Sequence, residues 1–149
     1  MGLLDADQQP PPSKLPRYII GSLVFALLMT AALWWMFRFH TEKKTVDSFL
    51  QAVVAGEMQK AYEIWKPQGR YPFQDFLEDW GEKGYYGPVK SYRIVTAQRP
   101  RTGGSGIIVV VELSPYERFP DDDDIEKHRH TKEVRIWVER SDQSLGFPP

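Results

Sequence analysis

The sequence predicts an α+β protein, in which one N-terminal transmembrane helix precedes a small domain of two to three helices packed on a curved antiparallel sheet. Three observations lead to this prediction. Residues 18–37 carry no charged side chain. Apolar residues recur at helical spacing between residues 46 and 80, and apolar residues alternate with others after residue 106. Helical segments followed by strand segments are typical of the α+β class.

Composition excludes several functions. The 149 residues include 19 basic and 20 acidic side chains, so we predict no nucleic-acid partner. The chain has no cysteine, which removes disulfides, thiolate catalysis and cysteine-bound zinc. Phosphate-binding loops, dinucleotide fingerprints and serine-nucleophile motifs are absent from the sequence, and we predict no cofactor.

Residues 1–16 are predicted to form a disordered, proline-containing tail. They include Gln8, Gln9 and the run Pro10-Pro11-Pro12, and they show no apolar periodicity. A solvated leader is the simplest interpretation, and a partner domain that binds proline-rich segments is the alternative.

Residues 17–39 are predicted to form a transmembrane helix. The uncharged run 18–37 would extend about 30 Å as a helix, which matches the hydrocarbon core of a bilayer. Tyr18 lies at one end and Trp34-Trp35 at the other, as is typical of membrane interfaces. We therefore predict that residues 18–37 contact the lipid bilayer.

A cleaved signal and a buried helix are the two alternatives to a retained helix. A cleaved secretory signal has a shorter apolar core and a small-residue cleavage site, whereas this run ends in the bulky Trp34-Trp35-Met36-Phe37. A buried helix of a soluble domain is rarely apolar on every face at this length. Both alternatives fit the sequence less well than a retained signal-anchor.

The flanking charges do not decide which side of the membrane each end of the helix occupies. Lys14 and Arg17 precede the helix, and Arg38, Lys43 and Lys44 follow it, so the positive charges are almost balanced and slightly favour the alternative, a cytoplasmic domain. A short tail before the helix and a folded domain behind it is the common signal-anchor layout. On that basis we predict a C-terminal domain on the extracytoplasmic side.

Small residues in the membrane helix suggest a contact with a second copy. Ser22, Ala26 and Thr30 recur at four-residue spacing, and small residues on one stripe let two helices pack closely. The general abundance of small residues in membrane helices explains this stripe, and a homodimer or another protein partner that packs on it is the alternative hypothesis.

The folded domain is predicted at residues 41–148. It begins with two helices, or one kinked helix, that meet near Gly56, and the next helix begins at Pro72, which suits a first helical turn. The three apolar faces are Val46, Phe49, Leu50, Val53 and Val54; Met58, Ala61, Tyr62 and Trp65; and Phe73, Phe76, Leu77 and Trp80.

Strands are predicted in the second half of the domain. Residues 89–99 and 107–114 flank a glycine-rich hairpin loop, and residues 131–140 and 145–147 follow. The inward side chains are predicted to be Ile107, Val109, Val111, Leu113, Val134, Ile136 and Val138, with Arg135, Trp137 and Glu139 on the opposite face.

The order of these segments resembles the nuclear transport factor two-like superfamily. The resemblance rests on "VDSFLQAVVAGEMQKAYEIW", a short aromatic helix, "GPVKSYRIV", "GIIVVVEL" and "EVRIWVE", and it covers about residues 41–148. It implies a cone in which helices fold over a curved antiparallel sheet, as in the membrane-anchored bacterial members of unassigned function. This superfamily includes isomerases, dehydratases, transport factors and binding modules, so the fold implies no single function.

Enzymatic members that resemble ketosteroid isomerase imply a carboxylate base and a hydroxyl donor inside the cone. The three acidic candidates lie on the polar side of their predicted helix, and we predict no catalytic residue. By residue type the candidates are Asp75, Glu78 and Asp79, with Tyr85, Tyr86 or Tyr92.

A pocket inside the cone is predicted from aromatic residues and one acidic residue. Core filling is the alternative for the aromatic residues, and a solvent-facing position at the rim of the sheet is the alternative for Glu112. The candidates are Trp65, Phe76, Trp80, Tyr85, Glu112 and Trp137.

The segment "DDDDIEKHRH", residues 121–130, is the remaining constellation. Oxygen-rich clusters suit calcium, and His128 and His130 could share a strand face as ligands. The glycine that a calcium loop needs at its sharp turn is missing, and four consecutive aspartates repel one another. We predict a solvated loop and no metal site, with a pH-sensitive loop as a further hypothesis.

These observations predict a single-pass membrane protein that presents a small, non-catalytic binding or scaffold domain. The alternative is a cone-fold enzyme of the isomerase or dehydratase type that acts on a small apolar substrate.

Overall fold

The computed structural model describes residues 11–67 and 69–149, and over these residues the chain forms five helices and four strands. They fall into two compact units, the first ending at Arg38 and the second running from Phe39 to Pro149. Most of the predicted N-terminal tail, residues 1–10, lies outside the described residues. The elements are α1 (Leu15–Phe37), α2 (His40–Val54), α3 (Met58–Trp65), α4 (Phe73–Trp80), β1 (Ser91–Gln98), β2 (Ile107–Ser114), α5 (Ile125–His128), β3 (Lys132–Val138) and β4 (Leu145–Gly146).

The first unit consists of α1, a helix of 23 residues. It begins before the uncharged run because a proline occupies its first turn, where a missing N–H leaves no helical hydrogen bond unmade. Every residue of α1 is exposed, and α1 is long and apolar enough to cross a membrane. At its end the Arg38 guanidinium lies 4.5 Å from the Trp35 ring centroid, a cation–π contact.

The second unit opens with the predicted helices. Phe49 and Leu50 are fully buried, which confirms the apolar face of α2, but Val54 is 39% exposed. The prediction for Val54 was wrong because it is the last residue of α2, next to the turn that leads into α3. Gly56 makes that turn with φ +76°, a left-handed conformation that glycine adopts without strain, and the predicted break is confirmed.

The strands form an open antiparallel sheet in the order β1-β2-β3-β4. Opposed residues share a face, so the pairing of Val109 with Ile136 continues one apolar face across the sheet. All seven side chains predicted to face inward are buried, and this prediction is confirmed. Trp137 occupies the other face of β3, as its alternation with Ile136 requires.

Aromatic rings fill the space between the helices and the sheet. The Phe49 ring centroid lies 5.0 Å from that of Trp65 and 4.9 Å from that of Trp80, and Phe76 packs edge-on at 6.1 Å. These rings are at most 3% exposed. The helix-facing side of the sheet is therefore a packed core at these positions, where large rings contribute most of the buried apolar area.

The acidic segment between β2 and β3 is more ordered than the predicted solvated loop. Residues 125–128 form the single turn α5, because the Asp124 carboxylate accepts a hydrogen bond from the Lys127 N–H and caps the helix. Arg93 of β1 donates to Asp122 at 2.7 Å and so connects the segment to the sheet.

Candidate functional site

A cavity of about 570 Å³ lies at the β4 edge of the sheet. Its size falls within the usual range for small-molecule sites, about 300–1,000 Å³. The described residues that line it come from the end of α3, from the loop between α3 and α4, from β3 and the turn that follows it, and from β4 and the residue after it. They are Trp65, Tyr71, Trp137, Glu139, Ser141, Asp142, Ser144, Leu145, Gly146 and Phe147.

Three aromatic side chains form the helix-side wall of this cavity. The ring centroid of Trp65 lies 5.3 Å from that of Phe147, at an interplanar angle of 54°, and 6.2 Å from that of Tyr71, at 37°. Trp65 is 3% exposed and continues into the core, whereas Phe147 is 42% exposed. The wall is thus anchored in the core at one end and open to solvent at the other.

Trp137 approaches the cavity from the opposite face of the sheet. It pairs with Gly146, and among the described residues nothing lies within 4 Å of the position where a Gly146 Cβ would stand. The Trp137 ring lies against Gly106, where any Cβ would collide with the indole. Two glycines therefore make the space. Gly106 lets the Trp137 ring lie directly against the backbone, and Gly146 leaves the cavity beside Trp137 unfilled.

Two carboxylates border the cavity, and both are held by hydrogen bonds. Glu139 accepts from the Ser105 hydroxyl at 2.9 Å and from the Arg140 N–H at 3.1 Å. Asp142 accepts from the Ser144 N–H at 2.9 Å. Hydrogen bonds from the Ser144 hydroxyl and N–H hold the pKa of Asp142 below its usual value, so this carboxylate stays charged at neutral pH.

A hydroxyl and a carboxylate meet beside the cavity. The Tyr71 phenol donates to Asp79 Oδ2 at 2.6 Å, and burial together with this carboxylate raises the pKa of Tyr71. A second pair joins the Tyr92 phenol to Asp47 Oδ1 at 2.6 Å. Each phenol proton is therefore committed to a neighbouring carboxylate, an arrangement that fixes side chains in place.

The structure separates the predicted pocket residues. Trp65 and Trp137 line the cavity, while Phe76 is fully buried in the core. Tyr85 is 72% exposed. Trp80 is 1% exposed and borders a second cavity of about 170 Å³ near the α2–α3 turn; within the described part of the chain its indole Nε1 has no hydrogen-bond partner.

Glu112 lies on the outer face of the sheet. Its Oε2 accepts from both Nε and Nη2 of Arg93, at 3.1 and 2.9 Å, and the Arg93 guanidinium stands 4.8 Å from the Phe119 ring centroid. This ion pair joins β1 to β2, and a separate bond from Arg93 Nη1 to Asp122 holds the acidic segment against the sheet. Glu112 is thus placed as a structural partner of Arg93, away from the residues that line the larger cavity.

Sequence reasoning missed Tyr71, Glu139, Gly146 and Phe147 as cavity residues. One signal was present: Glu139 follows Trp137 by two positions, and alternation places both on one strand face. Tyr71 carried no comparable signal, because it lies between helices, where no periodicity predicts direction.

Within residues 11–67 and 69–149, no group of three or more histidine, aspartate or glutamate side chains is placed to hold a metal ion. The carboxylates of the acidic segment instead include two that pair with basic side chains. Asp124 pairs with Lys127 at 2.8 Å, and Asp122 pairs with Arg93 at 2.7 Å.

Comparisons of this chain with protein-family models, with curated proteins and with solved structures find no match.

Proposed function

We propose that this protein is a single-pass membrane protein whose second unit, Phe39–Pro149, is an extracytoplasmic, non-catalytic domain that binds a small ligand. The observation that carries the proposal is the cavity at the β4 edge, with its aromatic wall and its unfilled space beside Gly146. Concave sites that combine apolar rings with a few fixed polar groups are typical of ligand binding.

Membrane anchoring is supported by α1. Its 23 residues would extend about 34 Å, enough to cross a hydrocarbon core of about 30 Å. Its apolar side chains are exposed, and contact between apolar surface and water is unfavourable. Contact with lipid would remove that surface from water. The Trp34 and Trp35 rings with Arg38 suit the interface between bilayer and water.

Binding without catalysis is supported by the packing of the second unit. The aromatic cluster around Phe49 fills the helix-facing side of the sheet, where a cone enzyme would hold its substrate. Glu112, the carboxylate predicted to face an apolar environment, lies on the other face in an ion pair.

One observation favours the enzyme alternative. The Tyr71–Asp79 pair places a hydroxyl and a carboxylate beside the cavity, which are the two groups that an isomerase or dehydratase needs. In such an enzyme Asp79→Asn would abolish turnover while leaving ligand affinity largely unchanged. In a binding module the same variant would change the stability of the domain, and there would be no turnover to lose.

We also propose a superfamily for the second unit and a dimer contact for α1. The order of α2, α3 and α4 followed by antiparallel strands supports a nuclear transport factor two-like domain, and the register shift between Ile94 and Thr96 supports a bend in β1. In α1 the Thr30 hydroxyl donates to the Ala26 carbonyl at 2.8 Å, which satisfies a polar group on the small-residue stripe that we propose as a dimer contact.

Filling the cavity tests the binding function. Gly146→Val introduces a side chain where a Cβ meets nothing within 4 Å among the described residues, in a strand that favours valine. We expect unchanged thermal stability and the loss of bound small molecules. The measurement is saturation-transfer NMR of a mixture of water-soluble aromatic and aliphatic fragments on the full chain in lipid nanodiscs.

Thr96→Val is the matched control, because it introduces valine at an exposed position of β1 outside the cavity. It should bind the same fragments as the wild-type chain. If Gly146→Val retains every fragment that the wild type binds, the cavity is not the binding site.

The membrane assignment has its own test. The full chain should remain in the pellet when membranes are extracted at alkaline pH. Leu27→Arg places a charge near the middle of α1, at a cost of about 2.5–3.5 kcal/mol for insertion, and should release part of the protein. Recovery of the wild-type chain in the supernatant would end the proposal of a membrane anchor.

A further inference from the structure

We propose that the turn between β3 and β4, residues 139–144, couples occupancy of the cavity at the β4 edge to the first two turns of α2. A ligand that fills the cavity stabilises the β3–β4 turn, and the turn in its place stabilises the start of α2, which follows α1 directly in the chain. This inference rests on the proposed binding function and describes how the domain responds to a bound ligand. It is carried by the side chains of the turn, which divide between the cavity and α2.

One group of residues in the β3–β4 turn borders the cavity. Glu139, Ser141, Asp142 and Ser144 are four of the ten described residues that line it. Two backbone hydrogen bonds close the turn, because the Glu139 N–H donates to the Ser144 carbonyl and the Gln143 N–H donates to the Glu139 carbonyl, both at 2.9 Å. A group that occupies the cavity therefore contacts the turn at several points and restricts its local opening.

The other two residues of the β3–β4 turn bond α2. Arg140 Nε donates to Glu42 Oε1 at 3.1 Å, and the side-chain amide of Gln143 is hydrogen-bonded to the Thr45 hydroxyl at 2.9 Å. Glu42 lies in the first turn of α2 and Thr45 in the second. These two bonds form a clasp between the turn and α2. Every residue of the turn thus either lines the cavity or belongs to the clasp.

The clasp resists opening because Glu42 is buried. The Glu42 side chain is 5% exposed, while that of Arg140 is 51% exposed. A buried carboxylate that loses its cationic partner keeps an uncompensated charge, which is strongly unfavourable. Movement of the turn away from α2 is therefore opposed, and the stability of the turn is linked to that of the start of α2.

The backbone of Gln143 shows that α2 in return shapes the turn. Gln143 has φ +58°, in the left-handed region that few residues other than glycine adopt. Surrounding contacts maintain such a conformation, and the Thr45 bond from α2 is one of them. The bond from Lys66 Nζ to the Asp142 carbonyl, at 2.6 Å, is another. Coupling free energies are reciprocal, so a group that orders the turn from the cavity also orders α2.

A covalent group placed in the cavity tests this coupling without the natural ligand. The chain has no cysteine, and a Cβ at Gly146 meets nothing within 4 Å among the described residues. Gly146→Cys therefore provides a single thiol at the cavity. Benzyl methanethiosulfonate converts this thiol to a mixed disulfide that carries a benzyl group, with release of methanesulfinate. Methyl methanethiosulfonate gives a small adduct on the same sulfur for comparison.

Hydrogen–deuterium exchange of the full chain in maltoside detergent compares the two adducts. We expect the benzyl adduct to slow exchange by about 3-fold or more over residues 139–144 and also over residues 40–46. Thr102→Cys, at an exposed position outside the cavity lining, takes the same benzyl group as a control. That adduct should change exchange in neither segment.

Variants that weaken the clasp separate coupling from a general stabilisation. When Glu42→Gln and Thr45→Val are added to Gly146→Cys, the benzyl adduct should still slow exchange over residues 139–144, with little change over residues 40–46. Glu63→Gln and Thr41→Val make the same chemical changes at exposed positions outside the clasp. Added to Gly146→Cys, they should leave the response of both segments intact.

The outcomes also separate this inference from the proposed function. The inference is overturned if the benzyl adduct slows exchange over residues 139–144 but not over residues 40–46, or if neither segment responds. An equal response of both segments in the protein with the weakened clasp overturns it as well. None of these results bears on the fragment-binding experiment, which tests the proposed function by itself through Gly146→Val.

Discussion

Two tyrosines show how single residues stabilise the second unit. Tyr71 donates its phenol proton to Asp79, and Tyr92 donates to Asp47, both at 2.6 Å. Burial and these neighbouring carboxylates raise the pKa of both phenols. A raised pKa in the folded state means that the protonated phenol contributes stability below pH about 10, the unfolded value, and that this contribution is lost as pH rises further.

Tyr92→Phe should therefore destabilise the protein most at neutral pH. Loss of the hydrogen bond to Asp47 is expected to cost about 1 kcal/mol at pH 8. Toward pH 11 the wild type loses the same contribution, so the difference between the two proteins should narrow. Thermal unfolding of the full chain in nanodiscs, followed by near-ultraviolet circular dichroism across this pH range, measures the effect.

Tyr85→Phe is the control for this experiment, because Tyr85 is 72% exposed. Its unfolding temperature should follow that of the wild type at every pH. A difference between Tyr92→Phe and wild type that stays constant from pH 8 to pH 11 would contradict the coupling between phenol protonation and folding.

At the scale of elements, one arginine makes several of the contacts between the sheet and the segment that joins β2 to β3. Arg93 of β1 bonds Glu112 on the neighbouring strand, bonds Asp122 in the acidic segment and lies over the Phe119 ring. The guanidinium holds the pKa of Asp122 below its usual value. A planar fork with five donors binds two carboxylates in a fixed geometry, whereas a lysine offers one small ammonium on a flexible stem and cannot bind a carboxylate through two nitrogens.

Arg93→Lys should release this segment without unfolding the domain. The ion pairs are solvent-accessible, with side-chain exposures of 42% for Arg93 and 83% for Asp122, so we expect a stability loss below about 1 kcal/mol. Hydrogen–deuterium exchange of residues 115–131 should become faster, and added salt should speed exchange in the wild type as well.

Arg135→Lys is the comparison for that substitution. Arg135 pairs with Glu133 at 3.6 Å on β3 and has no bond to the acidic segment in the described structure. Its exchange pattern over residues 115–131 should match that of the wild type. A large global destabilisation by Arg93→Lys with unchanged exchange in the segment would show that Arg93 acts elsewhere.

At the scale of the whole molecule, the cysteine-free sequence allows a direct test of topology. Ser13→Cys lies before α1, and Gln59→Cys lies on α3; both positions are exposed. For an extracytoplasmic domain, a membrane-impermeant maleimide should label Gln59→Cys in intact cells and Ser13→Cys only after lysis. The opposite pattern would place the domain in the cytoplasm.

Local patterns predicted the elements better than they predicted the site. The strand 107–114 was predicted with the bounds that the structure has, because alternation over eight residues is a strong local signal. The apolar face of α2 was correct up to Val53 and wrong at Val54, where the helix ends. Among the predicted pocket residues, aromatic character alone did not separate Phe76, which is core, from Trp65, which is core and cavity wall.

By itself, the sequence determined the long apolar helix, the order of helices and strands, and the inward faces of β2 and β3. These properties follow from composition and periodicity over short stretches, so neighbouring residues are enough to specify them. Only the tertiary structure decided that Trp65, Trp137 and Gly146 border one cavity and that Glu112 serves Arg93. Such contacts join residues far apart in the chain, and their geometry exists only after β3 has paired with β2 and β4.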